Sequence, residues 1–181
     1  MKRTSETSTT LQLTAVGEVR SIIKTPMLQA GQSDIELQER LEKVRKQHRQ
    51  VKETVSELVI FDPWAELLDG IEAFSHIVVL YWPHLIDSER RNLRKVHPMG
   101  RKDLPIQGIF ATRSPARPNP ILVSTVPLMA REGNILKVKG LEAVDRSPLI
   151  DIKPFVQSYD IVENARFPEW MQQIHRDLEA L

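Results

Sequence analysis

The chain has 181 residues, 41% of them apolar and 27% charged, with a net charge of +1. That is ordinary globular composition, and the length favours one domain with at most an appended helix. There is no cysteine, which excludes disulfides, thiolate metal sites and a cysteine nucleophile. With charge this balanced, an anionic partner has to be met by local clustering of cations. The opening "MKRTSETSTTLQL" lacks the apolar core of a secretory signal. The run "HIVVLYWPHLI" falls well short of the about 20 residues that span a bilayer. The expectation is a soluble, cytoplasmic protein with no membrane segment.

Residues 1–12 read as a disordered tail, and "LTAVGEVRSII" as a first strand ended by Pro26. Leu37, Leu41, Val44, His48, Val51, Val55 and Leu58 then recur at spacings of four and three, the helical period. Ser33 or Asp34 is placed to cap that helix, with Glu36 and Glu39 in its first turns. The β-branched "TVSELVIF" favours a strand instead, so the helix is set at about 34–51 and a strand after it. "DPWAELLDGIEAFSH" reads as a short helix with Pro63 in its first turn and Gly70 at its end. "HIVVLYW" is an interior strand, residues 86–102 a loop or broken helix, and "IQGIFAT" and "ILVSTVPLM" two further strands. In "ILKVKG", Leu136 and Val138 face one way and Lys137 and Lys139 the other, a half-buried hairpin strand. "LEAV", a turn at "DRSP" and "LIDIKPF" follow. The end is an amphipathic helix with Trp170, Ile174, Leu178 and Leu181 on one side. Short strands separated by turns, without βαβ alternation, predict a mainly β sandwich or barrel with peripheral helices.

Three clusters carry polar chemistry. In "GIFATRSPARPNPI", Pro115, Pro118 and Pro120 restrict their own backbones and those of Ser114, Arg117 and Asn119. A loop so stiffened loses little entropy on gripping a ligand, and Arg113 and Arg117 offer planar forks for carboxylate or phosphate. On composition alone, an extended connector with locally paired arginines fits equally well. In "GLEAVDRSPLIDIKP", Glu142, Asp145 and Asp151 surround a strand–turn–strand unit, where Asp145 serves either as an Asx-turn residue or as a site carboxylate. His84 opens the loop after the apolar strand. The run Arg90, Arg91, Arg94, Lys95, Arg101, Lys102 is either a solvated face or, with Arg117, a phosphate-binding stripe. Five scattered histidines show no metal-ligand spacing, so no metal is expected. Neither G-x-G-x-x-G, a P-loop lysine nor G-x-S-x-G occurs.

Four stretches together resemble the TrmO/TsaA-like family of S-adenosylmethionine-dependent tRNA methyltransferases. They are "VGEVRS", "GIEAFSHIVVLYWPH", "KVHPMGRKDLPIQGIFATRSPARPNPI" and "GLEAVDRSPLIDIKP", spread over most of residues 13–156. The resemblance implies a single-sheeted β-barrel at 13–156 carrying a helical insertion at 33–52. Residues 157–181 become a C-terminal helical extension, and the protein is expected to be a homodimer. It further implies methyl transfer from S-adenosylmethionine to N6 of threonylcarbamoyl-adenosine beside the anticodon of threonine tRNA. A non-catalytic S-adenosylmethionine- or RNA-binding module, or a methyltransferase for another acceptor, is the alternative.

By motif position, cofactor contacts are expected at Gln29, His84, Leu85, Arg113, Ser114, Leu122, Val123, Ser124, Leu141, Glu142, Ala143 and Val144. Asp145 is the first candidate base and His84 the second. RNA contacts are expected at Arg90, Arg91, Arg94, Lys95, Arg101, Lys102 and Arg117. The chain departs from the family pattern at "KTPMLQAGQ", where a PRQP-like loop is usual. It departs again at Leu122, where glycine is usual, and at "DRSP" in place of "DGTP". Arg146 thereby adds bulk and charge beside the expected pocket.

Overall fold

The computed structural model describes residues 10–26 and 37–179, with the backbone alone at 37–40. The expected cap at Ser33 or Asp34, Glu36 and the cofactor contact at Gln29 lie outside these residues. So does Leu181.

Six strands close a barrel: β1 (Gly17–Arg20), β2 (Val55–Ile60), β3 (His76–Tyr81), β6 (Leu122–Glu132), β7 (Ile135–Lys139) and β8 (Pro148–Pro154). Around the wall they run β1-β2-β7-β6-β3-β8, and β8 returns to β1. Every adjacent pair is antiparallel. A closed wall leaves no strand edge for another chain to extend. Two short strands, β4 (Lys95–Val96) and β5 (Gln107–Gly108), form a separate ribbon. The helices are α1 (Leu37–Glu53), α2 (Gln157–Asp160) and α3 (Glu169–Glu179).

The interior follows from period-2 alternation. Val19, Leu58, Ile77, Val79, Leu136, Val138 and Leu149 are fully buried and belong to one apolar cluster with Leu141 and Ala143. On the outer face of β7, Lys137 pairs with Glu132 at 2.6 Å and Lys139 with Glu53 at 2.6 Å. The helical stripe read from the sequence ends at α1: Val55 and Leu58 belong to β2. α1 packs on α3, where Ile174 is buried and Arg45 Nε donates to the Asp177 carbonyl.

Two expectations change. The helix expected over "DPWAELLDGIEAFSH" is two 3-10 segments, Asp62–Leu68 and Ile71–Ala73, divided at Gly70, whose φ of +86° suits glycine. The strand expected at "IQGIFAT" shrinks to β5, followed by a 3-10 turn at Ile109–Ala111. Ile109 is buried there and Phe110 is 80% exposed, so the segment is a bent arm, not a barrel strand.

At Gly17 the wall has no room for a side chain. A Cβ there would sit 2.3 Å from the Val59 carbonyl oxygen and 3.1 Å from the Ile60 Cα, both backbone atoms of the paired strand. Gly17→Ala is therefore expected to destabilise by about 1–3 kcal/mol, the usual cost of overpacking. Thermal melts should show a Tm lower by several degrees; an unchanged Tm would mean that β1 and β2 separate freely at this point.

Candidate functional site

β3 organises one end of the barrel. Its last residue, Tyr81, lies opposite Leu122 of β6 and Leu149 of β8, and the β8 register shifts just before it. Such a bulge re-aims side chains at a strand end. Tyr81 closes the inward row Ile77, Val79, Tyr81 and is buried. Its hydroxyl donates to the Glu142 carbonyl at 2.9 Å and lies 3.4 Å from Ser124 Oγ. Burial pushes the Tyr81 phenol up, while the hydrogen bond with Ser124 and the Arg113 charge pull the other way. Tyr81 is thus a neutral donor at physiological pH.

Arg113 reaches the same place from the proline-rich arm, where its Nη2 donates to the Val123 carbonyl at 2.8 Å. It stays exposed, and its other guanidinium donors make no hydrogen bond among the described residues. The arm is internally braced. Thr112 Oγ1 donates to the Ile109 carbonyl at 2.9 Å, and Ser114 Oγ accepts from the Ala116 amide at 3.3 Å. Arg117 Nε donates to the Ser114 carbonyl at 2.8 Å, and its Nη2 to the Thr112 carbonyl. Ala116 and Pro120 are buried and anchor the arm. Of its two arginines, one holds the loop and the other presents the charge.

In 141–144, Leu141 and Ala143 enter the core and Glu142 faces out. The Glu142 carboxylate has no hydrogen bond or ion pair among the described residues. Partial desolvation raises its pKa. The residue is exposed, while neighbouring protein atoms partly desolvate its carboxylate.

Asp145 is committed differently. Its Oδ1 accepts from the Ser21 amide at 2.9 Å and its Oδ2 from Lys24 Nζ at 2.7 Å. The Lys24 hydrogen bond, then the Ser21 amide, hold its carboxyl below the usual range. It clamps the 21–24 strip, and a carboxylate held down in this way is a weak base. Arg146 follows with φ +63°, the left-handed conformation for which the family's turn uses glycine. His84 donates its amide to the Trp82 carbonyl at 2.9 Å, and its Nδ1 lies 3.5 Å from Ser147 Oγ. Leu85 beside it is exposed.

The structure therefore brings Arg113, Val123, Ser124 and Glu142 together around Tyr81, with His84 and Leu85 on the loop that leaves β3. Ser114 and Arg117 spend their groups inside the arm. Of the basic run, Arg94, Lys95 and Lys102 are exposed and Arg90 is half-buried. Arg101 is 6% exposed and pairs with Asp103 at 2.6 Å and with Asp177 of α3. Those bonds tie the basic loop to α3, so Arg101 is structural here. Arg91 stacks on Trp82, 5.1 Å from the ring centroid, and its Nη2 donates to the Ile86 carbonyl at 3.3 Å. Two hollows elsewhere are lined by Glu72, Arg131 and Gly133, and by residues 22–25 with Gln47, Gln50 and Thr54. Neither includes Tyr81, Arg113 or Glu142. Tyr81 escaped the sequence reading because a tyrosine ending an apolar strand looks like core, and its acceptor, the Glu142 carbonyl, is 61 residues away in sequence.

Residues 36–161, well over half of the chain, match the model of the tRNA-methyltransferase O N-terminal domain. That match contains α1 and the whole barrel except β1. A protein of Methanothermobacter thermautotrophicus described as a probable S-adenosyl-L-methionine-binding protein is 48% identical over 105 residues, 58% of this chain and 72% of that one. One of Archaeoglobus fulgidus with the same description is 39% identical over 163 residues, 90% of this chain and 38% of that one. A solved structure of TrmO superposes with a TM-score of 0.65 at 27% identity, covering 88% of this chain and 64% of that chain. The chain thus spans between about a third and three quarters of the length of these relatives.

The Asp145 clamp has a pH signature. Its folded pKa lies below the ordinary value, so the stabilisation is present above about pH 4 and is lost as pH falls through the folded pKa. Asp145→Asn is expected to lower Tm at neutral pH, with the gap to the parent closing in acid. Melts taken from neutrality down to roughly pH 3 test this; equal Tm values at neutral pH would show that the clamp carries no stability.

Proposed function

The chain belongs to the tRNA-methyltransferase O family, and from that premise we propose that it methylates N6 of threonylcarbamoyl-adenosine beside the anticodon of threonine tRNA. S-adenosylmethionine is the methyl donor. The observation that carries this reading is the convergence of an outward-facing guanidinium, Arg113, and an unpaired carboxylate, Glu142, on one polar strand end. The relatives described as S-adenosylmethionine-binding proteins support the same cofactor.

The residues present fit that cofactor. Arg113 matches a ligand carboxylate, and the Glu142 carboxylate suits a cationic centre. Val123 and Leu85 supply apolar surface beside them. When bound, S-adenosylmethionine supplies an electrophilic methyl group on a sulfonium, which departs as a neutral thioether.

The chain's own contribution is positioning and proton removal. A carbamoylated N6 is a ureido nitrogen whose proton is more acidic than that of plain adenine, so a modest base suffices. Glu142 fills that role better than Asp145, because its carboxylate is unpaired and its pKa is raised rather than lowered. Tyr81 fixes the Glu142 backbone from below, and His84 borders the site through Ser147. Arg90 and Lys102 hold anticodon-stem phosphates, Arg94 and Lys95 hold those of the adjoining loop, and the protein acts as a homodimer. A cytoplasmic location belongs to this reading; no helix among the described residues is long and apolar enough to cross a membrane.

The word "binding" in the relatives' descriptions favours one other reading, a module that holds S-adenosylmethionine without turnover. Labelled S-adenosylmethionine with tRNA from cells that do or do not make threonylcarbamoyl-adenosine separates the two. Label is expected only in the modified tRNA; cofactor binding without transfer to any RNA would establish the module.

Glu142→Gln is expected to slow single-turnover transfer by about 10²- to 10⁴-fold. In the parent, the rate should rise with pH through a limb above the ordinary glutamate value, because the base acts deprotonated. That limb should vanish in the variant, and full activity of Glu142→Gln would remove the role. Four phosphate contacts predict a slope of roughly −3 for log affinity against log salt, measured by RNA filter binding. A flat profile would remove the basic stripe from the interface.

A further inference from the structure

The exposed ring of Phe110 is left unused by the reading above. It stands at the middle of the 3-10 turn Ile109–Ala111, three residues before Arg113, and 80% of its surface is open to solvent. The turn that displays it is fixed at both ends. Ile109 beneath it is buried, and the Ile109 carbonyl accepts from both the Thr112 amide at 3.2 Å and Thr112 Oγ1 at 2.9 Å. On the other side the Ile109 amide donates to the Arg94 carbonyl at 2.9 Å, and Lys95 pairs with Gly108 across the β4–β5 ribbon. An aromatic ring is thus held on a braced support, with the exposed cations Lys95 on the neighbouring strand, Arg94 just before it and Arg113 three residues on.

We propose that Phe110 is a stacking platform for an unpaired base of the RNA acceptor, with Arg94 and Lys95 neutralising the phosphates on either side of that base. The inference rests on the RNA-methylating reading and deepens it by naming a positioning residue for the acceptor. Proteins recognise single-stranded loops by laying splayed bases on aromatic faces inside a cationic groove, and both ingredients meet here. A second copy of this chain is the poorer occupant, because it would bring the same Arg94 and Lys95 charges against themselves.

The test uses the full chain and an anticodon stem-loop of threonine tRNA carrying threonylcarbamoyl-adenosine, with binding measured in the absence of cofactor. Phe110→Ala and Phe110→Leu are expected to raise the RNA Kd roughly 5- to 100-fold, the range of one lost base stack. Phe110→Tyr and Phe110→Trp should restore it. Affinity for S-adenosylmethionine and the sedimentation coefficient should not move in any of the four. Parent-like RNA affinity in the leucine variant would overturn the stacking role, since leucine keeps apolar bulk without a π face. A change of oligomeric state in the alanine variant, with RNA affinity unaltered at matched state, would assign the ring to a protein interface. If the parent methylates RNA while all four variants bind it equally, this inference fails alone; if the parent binds no RNA, the underlying reading fails with it.

Discussion

The hydroxyl of Tyr81 donates to the backbone carbonyl of Glu142, and through that one bond the barrel wall acquires a polar end. Tyr81 belongs to β3, which is bonded on one side to β6 and on the other to β8. Three parts of the chain that are distant in sequence therefore meet at a single side chain: the loop carrying His84, the strand carrying Val123 and Ser124, and the segment carrying Glu142. Because the phenol is buried, its hydrogen has to be satisfied, and the nearest acceptor is the carbonyl that precedes Ala143 in the core. The apolar anchors Leu141 and Ala143 then fix which way the Glu142 carboxylate points.

Charge at this end is divided between structural and free groups by simple satisfaction. Arg117, Arg101 and Asp145 each spend their hydrogen-bonding capacity on neighbouring protein atoms. Among the described residues Arg113 keeps most of its donors, and the Glu142 carboxylate has no hydrogen-bond partner. The proline-rich arm makes this division durable, since buried Pro120 and Ala116 fasten the loop while Arg117 closes it upon itself.

Much of the barrel was legible because alternation is a local property. Leu136 and Val138 against Lys137 and Lys139 stated their faces plainly, and "HIVVLY" could be little else than an interior strand. The arm was misread at "GIFA" because a run of apolar residues does not reveal a turn; burial of Ile109 and exposure of Phe110 depend on the ribbon partner at Arg94. The site was legible as a set of segments, not as roles. Whether an aspartate is clamp or base depends on what lies 124 positions away in sequence, as the Ser21 amide does for Asp145. Arg101 likewise looked like one member of a basic run until α3 supplied Asp177.

The barrel closes by joining its first strand to its last: the Val19 amide donates to the Ser147 carbonyl, and the Arg146 amide to the Val19 carbonyl. Both bonds flank the polar end. On a ribosome, β1 and β2 emerge long before β8, yet the wall they begin cannot seal until residues near 150 have left the tunnel. Closure of the wall is thereby tied to completion of the chain through Pro154, and a nascent fragment stopping short of it would leave the apolar interior open to water.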